Sequence, residues 1–298
     1  MTESVVGSTI PRRILGVALR QARMRAGKTQ VDAAEAIDQS EQTVRRIEQG
    51  SVPTPAGKVD NLCRLYGSPT QTREALKALA RETKSTAQRW WHSYGDVVPN
   101  WFEVYVALEQ MASRERVFDP LLVNGLLQAD GYMGQAIRAI DPAQSDEEVA
   151  VGAELRRSRQ QLLTRPFPAP LRLDTTVAEP VLLVELPDGL MRAQLWKLLK
   201  ATELPNVSLR VLPLSAGLHR ASVTGAFTLL DFPDEGGSAA APTTIYSESQ
   251  TGAIYSEAPS EVELYESAWA ALEDAALDQT PSVELMSRLL KELVDRGS

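Results

Sequence analysis

The segment Gln30–Gly50 restricts the fold more than any other part of the chain, because it signals two helix starts and one helix end within a short distance. Thr29, just before it, and Asp32 have the spacing of a capping box, in which each side chain accepts a hydrogen bond from the other residue's backbone amide. Ser40 can cap a second helix, and Gly50 can end it, because glycine tolerates the left-handed conformation found at helix C-termini. The segment therefore predicts two short helices joined by a tight turn.

Small and apolar side chains predict how these two helices pack. Ala33 and Ala34 are small enough for a close crossing, and Ile37, Val44 and Ile47 recur at the spacing of an inward-facing helix surface. This is the arrangement of a helix-turn-helix, whose second helix enters the major groove of DNA while the first helix crosses the backbone. The alternative interpretation is a four-helix bundle with no role in DNA binding.

The polar residues of the segment suit the first interpretation. Gln42, Thr43, Arg45 and Arg46 fall in the outward-facing turns of the second helix. Glutamine can bond to adenine through two hydrogen bonds, and arginine can do the same with guanine. Gln30 begins the preceding helix, where its side chain and nearby amides can hold a phosphate.

Charge is divided unevenly along the 298 residues. Residues 1–88 contain fourteen Lys and Arg against nine Asp and Glu, a net charge of +5, whereas the remainder has a net charge of −13. Binding to nucleic acid depends on local positive potential, so the acidic total of −8 does not exclude it. The division indicates two parts of the chain with different roles.

We therefore predict two domains. Residues 1–88 form an all-α helix-turn-helix bundle with a linker helix, and residues 89–298 form an α+β domain without a regular βαβ alternation. In the second domain, residues 171–177 and 207–212 have the pattern of strands. Capping boxes at Ser145–Glu148 and Ser260–Glu263 predict helix starts there.

The first domain resembles the XRE family of phage repressor and Cro/C1-type helix-turn-helix proteins over about residues 13–67. The matching residues are Leu15, Gly16, Leu19, Arg20, Arg23, Ala26, Gly27, Thr29, Gln30, Ser40, Val44, Arg46, Ile47, Glu48 and Gly50. The resemblance implies that operator DNA is contacted by residues at these positions: Gln30, Ser40, Gln42, Thr43, Arg45 and Arg46. Glu48 matches a position that is structural in the family, and the acidic Glu41 departs from the family pattern at a DNA-facing turn.

Most of residues 90–277 resemble actinobacterial regulators of the WhiJ-like type. The motifs that carry the resemblance include Trp90-Trp91, Val98-Pro-Asn-Trp101-Phe102, Phe118-Asp-Pro-Leu-Leu-Val-Asn-Gly125, Met191-Arg192, Gly217, His219 and Phe227–Phe232. Such proteins join an XRE domain to a domain of poorly defined activity and are often paired with a small protein, as antitoxins are with toxins. The resemblance implies regulation and a protein partner, and it supplies no catalytic residues.

Composition limits the remaining chemistry. One cysteine and two histidines leave no disulfide, no thiolate zinc cluster and little for a histidine metal site, so we expect no metal and no cofactor. The first residues lack the apolar stretch of a signal peptide, and the chain has no apolar run long enough to cross a bilayer. We therefore expect a cytoplasmic, nucleoid-associated protein with no membrane partner.

Several other residues allow two interpretations. Cys63 is a redox sensor or, as we favour, a small buried hydrophobe on the apolar face of a helix. His219 belongs to a hydrolase triad or, as we favour in the absence of a nucleophile-elbow motif, to an ordinary loop. Glu248 and Glu257, with nearby serines, could serve a transferase acting on a nicotinamide dinucleotide, although no phosphate-binding glycine motif accompanies them.

A cluster of arginines and a cluster of aromatic residues are each expected to have a structural role. The three arginines between residues 156 and 159 are expected on the solvated face of a helix. The aromatic group at residues 90–102 lines a ligand pocket or, as we favour, fastens the linker to the second domain. Its members are Trp90, Trp91, Tyr94, Trp101 and Phe102.

Taken together, these features predict a non-enzymatic, sequence-specific DNA-binding transcriptional regulator. We expect a homodimer on a double-stranded operator, because one recognition helix reads only about half of a symmetric site. Residues 89–298 would control it through a ligand or a small protein encoded by a neighbouring gene. The alternatives are an antitoxin-like protein that binds a partner and regulates its own operon, and a transferase activity in the second domain.

Overall fold

The computed structural model describes residues 10–81, 101–140, 142–166, 169–233, 242–249 and 252–296. The helices are α1 (Ile10–Arg25), α2 (Gln30–Ala36), α3 (Glu41–Glu48), α4 (Ala56–Leu65), α5 (Thr70–Arg81), α6 (Trp101–Met111), α7 (Asp130–Ile140), α8 (Asp146–Gln160), α9 (Glu179–Leu182), α10 (Leu190–Ala201), α11 (Ala221–Thr224), α12 (Pro259–Ala275) and α13 (Gln279–Arg296). The strands are β1 (Arg114–Asp119), β2 (Arg172–Ala178), β3 (Val207–Leu212), β4 (Phe227–Asp231), β5 (Thr244–Ser249) and β6 (Gly252–Ser256). Short 3-10 turns precede α7 and α10 and follow α8 and β3.

The predicted fold class is confirmed. Helices alone occupy the described residues up to 111, and a mixture of helices and strands follows. Strands β2 and β3 lie where the sequence predicts them. The strands include parallel and antiparallel pairs, as expected of an α+β domain. Strands β1 and β6 were not predicted.

The helix-turn-helix packs around inward-facing residues of α1, α2 and α3. Leu19 and Val44 are fully buried, and Ala33 and Ala34, whose small size predicts a close crossing, are buried as well. Gly16 on α1 allows this contact, because a Cβ there would lie 2.6 Å from the backbone oxygens of Ile47 and Glu48. A glycine on α1 therefore sets how closely α1 approaches the end of α3.

Local hydrogen bonds begin and end these helices as predicted. Thr29 accepts a hydrogen bond from the Asp32 amide, and Asp32 accepts one from the Thr29 amide, which completes the capping box of α2. Ser40 caps α3 by accepting a hydrogen bond from the Thr43 amide at 3.2 Å. Gly50 adopts a φ of 67° beyond the end of α3, the left-handed conformation that glycine tolerates best.

The structure divides into two compact units that are discontinuous in sequence. One comprises residues 1–112 with 231–262, and the other comprises residues 113–230 with 263–298. Helix α6 and the antiparallel β5–β6 hairpin thus group with the helix-turn-helix. The predicted boundary at residue 88 lies outside the described residues and stays a prediction.

In the first unit, Arg13 of α1 is buried against residues that lie far away in sequence. Its guanidinium donates a hydrogen bond to Thr244 Oγ1 at 3.0 Å, lies 3.2 Å from Glu257 Oε1, and stacks 3.5 Å above the centre of the Phe232 ring. Burial lowers the pKa of Arg13 to about 10, and the nearby Glu257 carboxylate opposes that shift. The first helix of the helix-turn-helix therefore carries a buried charge that needs its partner from residue 257.

Aromatic rings extend this packing between α6 and the hairpin. Tyr105 stacks on Tyr246 of β5 with ring centres 4.3 Å apart, and Tyr246 lies 5.2 Å from Tyr255 of β6. Phe102, from the predicted aromatic group, is half-buried and stacks on Tyr105. Trp90, Trp91 and Tyr94 lie outside the described residues, so the choice between packing and a ligand pocket stays open for the group.

In the second unit the strands run in the order β3-β2-β1-β4. Strand β1 pairs in parallel with β2, and β2 pairs in parallel with β3. Helices α7 and α8 connect the first pair, and α9 and α10 connect the second. The sequence did not indicate the first of these crossovers, because β1 was not recognised.

Polar side chains fix helices of this unit to its backbone. Gln194 of α10 is fully buried; it accepts a hydrogen bond from the Ala129 amide at 2.7 Å and donates one to the Leu127 carbonyl at 2.8 Å. Ser282 of α13 accepts a hydrogen bond from the Val211 amide of β3 at 2.9 Å. These bonds satisfy backbone groups that burial would otherwise leave unpaired.

Two local predictions need correction. Helix α12 begins at Pro259, one residue before Ser260, because proline is well suited to the first turn of a helix; Ser260 is therefore not its cap. Arg159 is 6% exposed, so it does not lie on a solvated face. Its guanidinium instead packs against the backbone at Gly125. By contrast, the capping box of Ser145 and Glu148 starts α8 as predicted.

Among the helices that the structure describes, none combines the length and the apolar character needed to cross a membrane.

We predict that Gly16→Ala lowers the free energy of unfolding by about 1–3 kcal/mol, as overpacking of a core typically does. The added methyl group meets backbone oxygens at 2.6 Å, so α1 and α3 must move apart. Urea unfolding followed by circular dichroism measures the effect.

Gly57→Ala is the matched control, because a Cβ at this helical position meets no atom within 4 Å. It should leave stability unchanged or raise it by about 0.5–1 kcal/mol through helix propensity. Equal stability of the two variants would contradict the role given to Gly16.

Candidate nucleic-acid interface

Helix α3 has one buried face and one polar face turned to solvent. Val44 is fully buried and Ile47 is 4% exposed, whereas Gln42, Arg45 and Arg46 are exposed. Within the described residues, neither arginine forms an ion pair or a hydrogen bond through its side chain. Two guanidinium groups and one amide are thus available to a ligand on the same helix.

The N-terminus of α3 is ordered by its own hydroxyl groups. Ser40 Oγ lies 3.2 Å from the Thr43 amide and 3.0 Å from Thr43 Oγ1. Both residues remain at the surface, Ser40 exposed and Thr43 half-buried. Each hydroxyl therefore takes part in the cap and still faces solvent with further hydrogen-bonding capacity.

Glu48, at the last position of α3, is a buried carboxylate that joins three helices. Arg23 of α1 donates to it through Nε at 2.6 Å and through Nη2 at 3.0 Å. Gln30 of α2 donates to the same carboxylate through Nε2 at 3.0 Å. The hydrogen bond from Arg23 raises the pKa of that arginine. Glu48 therefore fixes the mutual position of α1, α2 and α3.

Gln30 has a more restricted position than the sequence suggested. It begins α2 and is half-buried, and its side-chain amide is directed at Glu48. Its carbonyl oxygen and second amide hydrogen, together with the helix N-terminus, remain for a contact with phosphate.

The six residues predicted to contact DNA fall into two groups. Gln42, Thr43, Arg45 and Arg46 lie on α3, and Ser40 caps that same helix. Gln30 lies on α2 and is linked to the end of α3 through Glu48. Their contact with DNA stays a prediction. Sequence reasoning did not find the role of Arg23, although the family resemblance includes both Arg23 and Glu48.

Cys63 is buried, as predicted for a small hydrophobe. Burial raises the pKa of its thiol to about 11, so the reactive thiolate is disfavoured near neutral pH.

The two carboxylates considered for a transferase are both engaged by neighbours. Glu257 accepts a hydrogen bond from Thr244 Oγ1 at 3.0 Å and pairs with Arg13. Glu248 accepts a hydrogen bond from the Tyr246 hydroxyl at 2.9 Å. This geometry favours a structural role for both groups and gives no support to a transferase site.

His219 shows no triad geometry among the described residues. Ser222 Oγ accepts a hydrogen bond from the His219 backbone amide at 3.1 Å, and His219 Nδ1 has no hydrogen-bond partner among the described residues, whereas a triad needs a hydrogen-bonded serine and imidazole. No carboxylate of the described residues bonds to the ring.

Two family models match separate parts of the chain. The model of a family described as a helix-turn-helix domain matches residues 14–76, which include most of α1 and all of α2, α3 and α4. The model of a family described as a domain of unknown function (DUF5753) matches residues 102–288. No curated protein matches the chain, and no solved structure matches it.

We predict that Glu48→Gln lowers the free energy of unfolding by about 2–3 kcal/mol, somewhat less than breaking a fully buried ion pair. The variant keeps the shape of the side chain but removes the charge opposite Arg23, whose side chain is 13% exposed. Chemical unfolding measures the loss.

Glu41→Gln removes a carboxylate from the exposed side of the same helix. Its stability should stay within about 0.5 kcal/mol of the unaltered protein, as is usual for surface substitutions. If Glu41→Gln lost as much stability as Glu48→Gln, the negative charge of α3 in general, and not the buried pair of Glu48 and Arg23, would stabilise the helices.

Proposed function

Because the chain belongs to the family of the domain of unknown function DUF5753 and carries a helix-turn-helix domain before it, we propose that it is a sequence-specific DNA-binding transcriptional regulator. The observation that carries the proposal is the exposed face of α3. There Gln42, Arg45 and Arg46 are free of partners among the described residues, while the opposite face is buried. Polar side chains on a rigid, outward-facing helix are what major-groove recognition needs.

We assign two kinds of contact to the six residues. Gln42, Arg45 and Arg46 read base edges, because amide and guanidinium groups match adenine and guanine. Gln30 and the hydroxyl groups at the start of α3 hold phosphates and set the register on the duplex. The residues of this second group are Gln30, Ser40 and Thr43.

The regulator is assigned to the XRE, Cro/C1-type class, and its second domain to the actinobacterial WhiJ-like type. Four of the residues that carry the first resemblance support this assignment. Thr29 caps α2 and Ser40 caps α3. Glu48 pairs with Arg23, and Gly50 follows the end of α3. The second assignment rests on the sequence resemblance alone.

We also propose that the protein binds its operator as a homodimer. One recognition helix spans about half of an operator, so symmetric half-sites require a two-fold arrangement of two chains.

The second domain is proposed to control DNA binding through a small-molecule ligand or a small protein encoded by a neighbouring gene. The contact between Arg13 and Glu257 supports such control, because Glu257 belongs to the part of the chain matched by the DUF5753 model. A change that moves Glu257 would leave a buried arginine without its counter-charge. Helix α1, which packs on α3, would then have to adjust.

The antitoxin-like alternative contains the same DNA-binding and partner-binding steps, and it differs only in what the partner does when released. Operator binding measured with the purified product of a neighbouring small gene tests the partner in both cases.

We predict that Arg46→Ala weakens binding to the selected DNA site by about 1–3 kcal/mol and relaxes the base preference at one position. The loss follows from removing a guanidinium that pairs with a base edge. Selection from random duplex DNA with the full chain supplies the site, which should be a palindrome, and fluorescence anisotropy supplies the affinities.

Arg64→Ala is the matched control, because Arg64 is an exposed arginine of α4 that pairs with Asp60 at 2.8 Å. It should leave the base preference unchanged. Unchanged affinity and unchanged preference in Arg46→Ala would refute base reading by this residue.

We predict that Glu257→Gln weakens binding to the same DNA by about fivefold or more, the lower end of typical coupling between sites. The substitution removes the negative charge that compensates buried Arg13, and so it alters the packing of α1. Residue 257 is not one of the residues predicted to contact DNA. Anisotropy below the unfolding transition measures the change.

Glu263→Gln serves as the control, because Glu263 is an exposed carboxylate of α12. Equal affinities of the two variants would argue against control through the pair of Arg13 and Glu257.

A further inference from the structure

Loops at one edge of the second unit surround a cleft of about 230 Å³. Strands β1, β2 and β3 end at this edge, and β4 begins there. The lining is largely apolar and includes Phe118, Pro120, Pro180, Leu212 and Pro213. The cleft is therefore a recess in a surface that offers few polar groups to a partner.

The three most exposed large apolar side chains among the described residues belong to these loops. Leu218 is 97% exposed and Val223 is 90% exposed, both in the connection from β3 to β4. Leu121, which follows β1, is 76% exposed, and Leu214, which itself lines the cleft, is 65% exposed. We call these four residues, together with the cleft, the apolar edge. Apolar area gathered in one place marks an interaction surface, whereas scattered apolar residues do not.

The apolar edge is almost without charge. Residues 120–129, 180–184 and 211–230, which form the loops around the cleft, contain a single charged residue, Arg220. By contrast, 23% of the whole chain is charged, and residues 89–298 have a net charge of −13. Like charges of this size keep two copies of a domain apart. Two copies therefore approach each other most easily through a surface that has no acidic groups.

Two carboxylates at the border of the apolar edge are bound to backbone amides. Asp119 accepts hydrogen bonds from the amides of Leu121 and Leu122, and Glu179 accepts one from the Leu214 amide at 2.8 Å. These bonds fix the loops that carry Leu121 and Leu214. The projecting side chains are thus held on ordered backbone.

The shape of the apolar edge suits contact with a second copy of itself. A two-fold interface applies the same patch to both chains, so the patch must contain projecting parts and recesses that receive them. Leu218 projects, and the cleft beside it is a recess of matching apolar character. A cavity of about 150 Å³ accommodates benzene, so this cleft has room for a leucine side chain. A basic partner protein would instead need acidic groups on the surface that it contacts.

We propose that the apolar edge is the interface of a homodimer, in which Leu218 of each chain enters the cleft of the other. The inference rests on the proposed function, which requires two chains on a symmetric operator, and it names the surface through which they associate. Homodimer interfaces are more apolar than other protein surfaces, as this surface is.

Sedimentation velocity of the full chain without DNA tests the interface. The unaltered protein should associate no further than two chains, with a Kd of about 1 µM or tighter, as is common for interfaces of standard size. Leu218→Glu should raise that Kd by about 30-fold or more, the effect of losing an interface hot spot. Val223→Glu should weaken the dimer in the same direction. Because both side chains are almost fully exposed in the single chain, neither change should alter the circular dichroism spectrum.

Val151→Glu is the matched control. Val151 lies on α8 of the same unit, is 67% exposed and does not line the cleft. The substitution introduces the same charge in place of an exposed apolar side chain. It should leave the Kd of the dimer unchanged.

Mixing the unaltered chain with Leu218→Glu tests whether the apolar edge meets itself. In a two-fold interface the altered patch must contact the unaltered one, so the mixed dimer should be weaker than the unaltered dimer by about fivefold or more. If the patch met a different surface, the altered chain would still accept the unaltered patch at full affinity.

Salt provides an independent measurement on the unaltered protein. Raising the NaCl concentration from about 0.05 M to about 0.5 M should leave the dimer as tight or make it tighter, because salt screens the repulsion between two acidic chains. A dimer held by ion pairs would weaken instead.

The interface is refuted by a monomeric unaltered protein, by equal Kd values of Leu218→Glu and Val151→Glu, by a mixed dimer of full affinity, or by a dimer that salt weakens. These results are separate from those for the proposed function. A chain that dimerises through the apolar edge but binds no DNA would refute the proposed function alone. A chain that binds a palindrome while Leu218→Glu stays dimeric would refute this interface alone.

Discussion

The buried carboxylate of Glu48 is the interaction on which the DNA-binding part of the structure depends. It accepts hydrogen bonds from Arg23 of α1 and from Gln30 of α2 while standing at the end of α3. A buried charge needs such partners, since removing one leaves the other uncompensated. The exposed face of α3, which we propose reads bases, is therefore held in place from its buried side. The residues that hold it are not among the proposed base contacts, and Arg45 and Arg46 stay exposed.

A second buried charge connects this helical group to the rest of the first unit. Arg13 precedes Gly16 by less than one helical turn, and Gly16 is where α1 meets the end of α3. The arginine depends on Thr244 and Glu257, which belong to the part of the chain matched by the DUF5753 model. The proposed regulatory function thus has a physical route, in which the second domain supplies the counter-charge for the first helix.

Local sequence signals predicted the helix-turn-helix well and the second domain less completely. The caps at Thr29 and Ser40 involve residues three positions apart, so their geometry is almost independent of the rest of the chain. Strand β1 was missed because it begins with the charged residues Arg114, Glu115 and Arg116, which hide the usual alternation of apolar and polar positions. Its burial comes from pairing and packing that no local pattern reveals.

The sequence by itself determined where α2 and α3 begin, where α3 ends, which face of α3 is apolar and which polar side chains that helix can offer to DNA. Those properties follow from periodicity and from capping over a few residues. Only the tertiary structure decided that Arg13 would be buried against Thr244, 231 positions away, and that three strand ends would bring Phe118 and His219 to one cleft. Contacts over such distances are selected by the packing of the whole chain, because burying a charge is tolerated only where distant residues complete its surroundings.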